Sequence, residues 1–389
     1  MRAASGWTTV ILVGVGAIVA QAFGRFTYSV LLPAIRNDLD HSNTVAGLLG
    51  TTNVLAYLVG TFVVASLTTR YKLLAVLRSG FVFSLAGLAG AAVAPNALVL
   101  GIALFSMGFG GALIWVPSPA IAAQAVGENR RGFAVGAVGG GVGTGIVITG
   151  QLARIVRERS GDEAWRDVYR IDFALGVLAV LVILLFLRHR QSAPTGQKVG
   201  GAGFGSLKQM PGWVPITGAY VAYGFCYLIA VSFLTSRLED DAGYTESLAS
   251  TMFTLVGFGA VAGGILMGII ADQIGERITL VIGFCVFASA LVGILTGVVA
   301  VVVVGSVIVG LMFGGLPSVV IGYVVRNTTA DSFGPSFAAA TFAFGIAQVT
   351  SPQLGGLIAD LTGGFALVFI VAIAFALCGA AMASRLPHR

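Results

Sequence analysis

Residues 188–212, RHRQSAPTGQKVGGAGFGSLKQMPG, are the one long polar interruption in a chain that is otherwise one apolar run after another. Gly, Ser and basic residues crowd this stretch, the composition of a flexible linker. Reading outward from it, six apolar stretches precede it, at about 7–33, 43–67, 73–93, 97–124, 132–153 and 168–187. Six more follow, at about 213–236, 246–270, 278–297, 299–325, 335–358 and 364–384. Each is long enough to cross a hydrocarbon core of about 30 Å, which takes roughly 20 helical residues. The chain is thus predicted to be an all-α polytopic membrane protein of twelve transmembrane helices. An N-terminal six-helix bundle is expected over 1–187, a cytoplasmic linker over 188–212, and a C-terminal six-helix bundle over 213–389.

Composition agrees with that reading and excludes other classes. Of 389 residues, 57% are hydrophobic and only 10% charged, with mean hydropathy +0.95, whereas soluble domains carry about 25% charged residues. A net charge of +6 does not mark a nucleic-acid binder, because the basic residues sit in short loops and form no stripe. Cys226, Cys285 and Cys378 all lie in apolar runs, so neither a disulfide framework nor a metal-ligand spacing exists. No cofactor and no metal are expected. Arg2, the following apolar run and Ala20-Gln21-Ala22 imitate a cleavable signal peptide; the run continues to Leu32 and is read as an uncleaved first helix.

An even number of spans puts both termini on one side. Most of the 22 Lys and Arg residues, among them Arg70, Lys72, Arg130 and Arg326, fall on that side, which by the positive-inside rule is the cytoplasm. The loop from Arg154 to Arg170 runs against the rule, although its arginines alternate with Glu158, Asp162, Glu163 and Asp167. The expected setting is the cell membrane, with lipid and a small-molecule substrate as the partners of a monomer.

The two halves repeat weakly at an offset of about 203 residues: Gly110-Gly111 matches Gly314-Gly315, and Gly80-Phe81 matches Gly283-Phe284. Two such halves rock about a central site in many transporters. Glycine pairs four apart, such as Gly139 with Gly143 and Gly259 with Gly263, allow close helix approach and serve tight packing as readily as gating. Pro117, Pro119, Pro317 and Pro352 fall inside predicted helices, where neighbouring protein must satisfy the carbonyls they free.

Arg25 is the only charged side chain placed deep within a predicted helix. A guanidinium cannot shed its proton, and its insertion at mid-bilayer costs roughly 2.5–3.5 kcal/mol or more. All 16 acidic residues read as loop or helix-end positions, with Asp172 and Asp360 nearest the membrane, and His41, His189 and His388 lie outside it. Arg25 therefore has no expected carboxylate partner, and a substrate anion would suit its fork. Two alternatives stand beside that reading: a structural arginine bonded to carbonyls at a kink, or a side chain that snorkels past Pro33 to the interface.

Helical spacing groups the remaining candidates. Gln21, Arg25 and Tyr28 share a face of helix one, Asn53 and Tyr57 a face of helix two, and Tyr220, Tyr223 and Tyr227 a stripe on helix seven. Trp115 and Gln348 would complete a cavity. For the aromatics the alternative is core packing or an interfacial belt; for Asn53 it is an interhelical hydrogen bond.

Residues 268–277, Gly-Ile-Ile-Ala-Asp-Gln-Ile-Gly-Glu-Arg, resemble the G-x-x-A-D-x-x-G-x-R loop of the major facilitator superfamily, in the expected place between helices eight and nine. The resemblance implies a gating role for Gly268, Asp272, Gly275 and Arg277, with Arg70 in the equivalent loop of the first half. That first loop, Ser66 to Lys72, lacks the aspartate. Leu104 stands where many members carry an arginine, and Gly139 to Gly150 lacks the Gly-Pro of drug antiporters, although Ser351-Pro352-Gln353-Leu354-Gly355-Gly356 looks like a relic of it. Gly24-Arg25-Phe26-Thr27-Tyr28 with Leu31-Leu32-Pro33, and Asn53 to Gly60, resemble the YbfB-like branch.

The expectation is a secondary transporter moving a small organic anion, a carboxylate, through a central cavity that contains Arg25. Efflux of hydrophobic compounds, with Arg25 structural, is the alternative. A transporter-like sensor or scaffold is the alternative of another class. An enzyme is not expected, since no nucleophile and base pair or metal cluster is present.

Overall fold

The computed structural model describes residues 6–68, 70–127, 130–187 and 204–387. Most of the linker, 188–203, lies outside the described residues, as do Arg2, His189 and His388. Twelve long helices account for nearly all of the rest. In the first half they are α1 (Gly6–Asp38), α2 (Asn43–Leu67), α3 (Leu73–Ala92), α4 (Ala97–Ala125), α5 (Gly132–Ser160) and α6 (Asp162–Phe186). In the second half they are α7 (Trp213–Asp241), α8 (Glu246–Ile274), α9 (Glu276–Leu295), α10 (Val299–Arg326), α11 (Ala330–Thr362) and α12 (Ala366–Ser384). A short helix, Phe204–Gln209, precedes α7.

Eleven of these are apolar and long enough to cross a membrane. The helix outside that set is α11, whose Gln348, Thr350, Ser351 and Gln353 dilute its hydropathy. Of these, Gln348 and Ser351 are buried against protein, while Thr350 and Gln353 are exposed.

Several helices run beyond their apolar cores. α1 continues through Pro33 to Asp38, and α6 begins at Asp162 rather than near 168. The extensions are held by ion pairs at helix ends, which hydropathy does not register. Arg166 bonds Asp38 at 2.7 Å, and Arg157 bonds Asp162 at 2.7 Å.

The same pairing recurs in both halves: α2 with α4 and α3 with α4 in the first, α8 with α10 and α9 with α10 in the second. Between the halves, α5 packs on α8, α2 on α11, and the outer part of α1 on α7. α4 and α10 form no comparable seam. In an apolar solvent such seams are held by close packing, not by a hydrophobic drive, and small residues make them. A Cβ on Gly143 would lie 2.6 Å from the Val261 amide nitrogen, and one on Gly257 2.6 Å from that of Val147. At the α2–α11 crossing, a Cβ on Gly47 would stand 2.3 Å from the Pro352 carbonyl oxygen.

These seams close at the end of the bundle carrying the α1–α2 and α7–α8 turns, here called the distal end. Toward the opposite, proximal end, where α1 begins and α12 finishes, α5 and α8 part. Gly132, Gly136, Gly139 and Gly140 of α5, and Gly268 of α8, have no atom within 4 Å of an added Cβ.

Prolines interrupt several lining helices, and two of the carbonyls they free receive side-chain donors. Pro33 leaves the Ser29 carbonyl without its helical donor, and Thr235 of α7 supplies one at 3.0 Å. Pro317 likewise frees the Phe313 carbonyl, which accepts the Tyr223 hydroxyl at 2.7 Å. α4 breaks outright at Val116–Pro117.

Candidate functional site

The centre of the molecule is built on a defect in α1. Residues Ile18–Phe26 are π-helical, a wider i→i+5 turn that is frequent at functional sites. Asn53 braces it. Its amide nitrogen donates to the Gly24 carbonyl at 2.9 Å and to the Leu104 carbonyl at 2.8 Å, tying α1, α2 and α4 together. Asn53 also borders a small cavity beside Arg25, but its donors are engaged by backbone. The interhelical alternative describes its hydrogen bonds.

Arg25 is the last basic residue of this segment and is held across the interface between the halves. Its Nη2 donates to the Tyr227 hydroxyl and to Gln348 Oε1, both at 3.3 Å. Since an arginine can only donate, the glutamine must turn its oxygen to Arg25. Its Nε2 then donates to the Tyr227 hydroxyl at 2.6 Å. Tyr227 thus accepts twice and keeps its own hydrogen for another acceptor. Arg25 Nε is buried and without a partner. The guanidinium carbon lies 5.7 Å from the Phe26 ring centre and 6.0 Å from that of Tyr57, within range of a cation–π attraction. Among the described residues, no carboxylate pairs with it.

The side chain of Arg25 is turned inward to Tyr227 and Gln348, not outward along α1. Thirteen residues separate Arg25 from the distal end of α1 at Asp38, about 20 Å at 1.5 Å per residue, several times the reach of the side chain. Tyr28 borders the same small cavity as Arg25, but its hydroxyl is engaged by backbone: it is 4% exposed and donates to the Ala46 carbonyl at 2.7 Å. Gln21 is buried next to the Tyr57 hydroxyl.

From Tyr227 an aromatic ladder descends toward the proximal end. Tyr227 and Tyr223 stack at 4.8 Å and 16°, Tyr223 and Phe344 lie at 5.9 Å and 4°, and Phe344 and Tyr220 at 4.2 Å and 7°. Phe337 extends the series beyond Tyr220. Phe344 and Phe337, which the sequence reading left out, complete a nearly parallel set contributed by α7 and α11. Their spacing of seven residues on α11 was the available signal. Trp115 follows Gly111 by one turn, and a Cβ added to Gly111 would lie 3.9 Å from the Tyr57 ring; Trp115 therefore sits proximal to Tyr57, half-buried at the break in α4.

On the distal side the way from Arg25 is shut. A cavity of about 20 Å³, bounded among others by Arg25, Tyr28, Gly47, Asn53, Ser232 and Pro352, has room for a single water. Beyond it, Arg36 forks onto Asp240 at 2.6 and 2.9 Å. Arg157 forks onto Glu239 at 2.8 Å in both bonds. Asp360 accepts the backbone N–H groups of Asn43 and Thr44 at 2.9 and 2.7 Å. Apart from Asp360, placed by the census of acids among those nearest the membrane, these clamping residues were not singled out from sequence. Arg157 and Glu239 stand 82 positions apart and share no local pattern.

The loop Gly268 to Arg277 lies at the proximal end. Gly275 has φ +85°, a conformation that favours glycine. Asp272 pairs with Arg326, which also reaches Glu276 at 3.1 Å, so the loop here binds the ends of α8, α9 and α10 within one half. Arg277 is half-buried and Arg70 exposed.

The census of acids needs one correction. Asp172 is neither a loop nor a helix-end residue: it has no exposed surface and accepts the Thr27 hydroxyl at 2.6 Å inside the first half. The earlier start of α6 moves it ten residues into the helix. Its flanking Ile171 and Phe173 were the sequence signal.

Two six-helix halves of like pairing, meeting around a polar cluster and open to one end, define a secondary transporter of the major facilitator type. The chain belongs to the family described as "Uncharacterised MFS-type transporter YbfB", matched over residues 17–384. The family is one of multi-pass membrane transporters, not of enzymes. The chain is 27% identical over 278 residues to a "Probable 4-methylmuconolactone transporter" of Cupriavidus pinatubonensis, covering 67% of this chain and 62% of that protein. It is 25% identical over 276 residues to the "Sialic acid transporter NanX" of Escherichia coli, covering 68% and 65%. The matched parts thus span less than two thirds of these relatives. A solved bacterial homolog of the human lysosomal transporter Spinster, inward-facing and unoccupied, shares the fold with TM-score 0.75, at 16% identity over 98% of this chain and 97% of that one.

Proposed function

We propose that this protein carries a small organic anion, a carboxylate, across the cell membrane by alternating access, with Arg25 as its charge partner. The observation that carries this reading is the unmatched donor set: Arg25 Nε–H has no partner, and the Tyr227 hydrogen is uncommitted. A carboxylate accepts from both and neutralises the guanidinium. Gln348 holds the two donors in place, and Tyr57 flanks the cation. The body of the anion lies along the ladder of Tyr223, Phe344 and Tyr220, which favours a flat or unsaturated carbon skeleton. Two relatives are named for 4-methylmuconolactone and sialic acid, compounds that both bear a carboxylic acid.

With the termini in the cytoplasm, as the distribution of Lys and Arg favours, the conformation described is open to the cytoplasm and sealed outside. Closing the proximal end brings the loop from Gly268 to Arg277 and the loop carrying Arg70 against the opposite half, and Asp272 then exchanges Arg326 for a partner there. The working unit is a monomer.

A thermal-shift panel on purified protein tests the substrate class. Aromatic, unsaturated-lactone and aliphatic carboxylates are compared with their neutral amides, on wild type and on Arg25→Ala. Stabilisation by carboxylates alone, lost in the variant, is expected. Equal stabilisation by acids and amides, retained in Arg25→Ala, would instead favour a carrier of hydrophobic compounds in which Arg25 is structural.

A further inference from the structure

Asp172 plays no part in the anion site, yet it is wired to it. The carboxylate lies in a bundle of α1, α3, α5 and α6 with no exposed surface. Its Oδ2 accepts the Thr27 hydroxyl at 2.6 Å, while Oδ1 is buried without a partner. One turn away on α6, the Tyr169 hydroxyl is likewise buried and unpartnered. Thr27 stands at a junction: its hydroxyl is also 3.4 Å from the Ala22 carbonyl and 3.5 Å from the Thr149 hydroxyl. It is the residue that closes the π-helical segment, two positions after Arg25.

No cation faces Asp172 from any of the packed helices. On α1, Arg25 is turned to Tyr227 and Gln348, Arg36 to Asp240, and Asp38 to Arg166. On α3 the one charged residue, Arg78, bonds the Leu187 carbonyl at the proximal end. On α5, Arg154 and Glu158 pair with each other, Arg157 is turned to Asp162 and Glu239, and Arg159 belongs to the exposed last turn. On α6, Asp167 and Arg170 pair at the surface. The titratable groups that do approach are the phenols of Tyr169 and, beyond it, Tyr28.

An ionisable residue kept within a membrane bundle without a counter-charge is expensive to retain and marks a proton or ion pathway more often than a packing role. We propose that Asp172 is a proton-binding site, and that its protonation is linked through Thr27 and the π-helical segment to the anion site at Arg25. The hydroxyl rotor supplies the link. When Asp172 is ionised, Thr27 donates to it. When Asp172 takes up a proton from water, its charge goes from −1 to 0 and the acid O–H donates to the Thr27 oxygen. The Thr27 hydrogen then turns to the Ala22 carbonyl, inside the turn that carries Arg25. One proton and one monocarboxylate moving together leave the net charge transferred at zero. The proton site stands without the assignment of Arg25; the linkage rests on it.

Infrared difference spectra of purified protein in liposomes, acid minus alkaline, read the site directly. The protonated-carboxyl C=O band of wild type is expected to be retained in Arg25→Gln, lost in Asp172→Asn and shifted in frequency in Asp172→Glu. Superimposable spectra for wild type and Asp172→Asn would overturn the proton site. If Asp172→Asn does not fold, an unshifted spectrum in Asp172→Glu does so instead. For the linkage, spin labels at Tyr71→Cys and Ile274→Cys report the separation of the proximal loops against pH, with Cys226, Cys285 and Cys378 replaced by serine. The distance is expected to change with pH in wild type and in Arg25→Gln to lose that change. Thr27→Val should keep the infrared band but lose the pH-dependent distance; a pH course equal to wild type in Thr27→Val would refute the linkage while leaving the site.

Discussion

Arg157 near the end of α5 grips Glu239 at the end of α7 through two parallel hydrogen bonds of 2.8 Å, and its side chain has no exposed surface. This fork, with that of Arg36 on Asp240, joins the halves where the distal end is shut. The grip holds the distal end shut, so its loss should move the balance toward opening there more than it unfolds the protein.

Replacing Glu239 by glutamine removes one charge of a buried pair, a change worth up to about 3–5 kcal/mol, tempered here because Asp162 still holds Arg157. A net shift of about 1.4 kcal/mol is already tenfold in population. Ser232→Cys, in the small cavity beneath the clamp, should react about tenfold faster with a membrane-impermeant thiol reagent when Glu239→Gln is also present. An unchanged rate would mean that the clamp does not set access from the distal side.

Arg25→Lys keeps the charge but loses the planar fork and its fixed donors. The ammonium cannot serve Gln348, Tyr227 and a carboxylate in one plane. Affinity for a carboxylate that stabilises wild type should fall about 10- to 100-fold, a loss of about 1.4–2.8 kcal/mol, by isothermal calorimetry. Wild-type affinity in Arg25→Lys would leave only a point-charge role.

Tyr223→Phe strips the donor from the carbonyl that Pro317 frees at Phe313. A buried acceptor left empty costs about 1–3 kcal/mol, and the thermal unfolding temperature should drop. In the double variant with Pro317→Ala, the restored backbone N–H can serve that carbonyl, so the effect of Tyr223→Phe should shrink. Additive effects in the cycle would show that the hydroxyl acts elsewhere.

Asn53→Leu deletes both bonds that hold the Gly24 and Leu104 carbonyls. The Leu104 carbonyl keeps its backbone partner within α4, so the cost is that of one buried acceptor, about 1–3 kcal/mol. Because Gly24 adjoins Arg25, carboxylate affinity should weaken as well, although Asn53 makes no bond to the ligand in this reading. Loss of stability with affinity intact would separate the π-helical segment from binding.

Much of the architecture was legible in residue order because membrane spans are long, apolar and separately punctuated. Gly-rich residues 188–212, the prolines and the isolated Arg25 all announce themselves locally. The local form of α1 was less legible. A helix read at 3.6 residues per turn puts Gln21, Arg25 and Tyr28 together, but nothing in Ile18 to Phe26 signals the wider π-helical turn there, which Asn53 of α2 braces at the Gly24 carbonyl. Asp172 was misplaced for a related reason: hydropathy set the start of α6 too late, and ion pairs at helix ends extend helices past their apolar cores.

What the sequence by itself determined is a twelve-helix major facilitator transporter in two related halves, with an arginine in its first helix that no nearby acid explains. Those properties follow from local composition, since lipid admits a helix only where its side chains are apolar and its backbone is internally bonded. Only the tertiary structure decided which donors surround Arg25, which aromatics stack beside it, how the distal end is clamped and that Asp172 lies within the bundle. Each depends on partners from distant helices, Tyr227 and Gln348 being 202 and 323 positions from Arg25, and distance along the chain carries no record of contact across it.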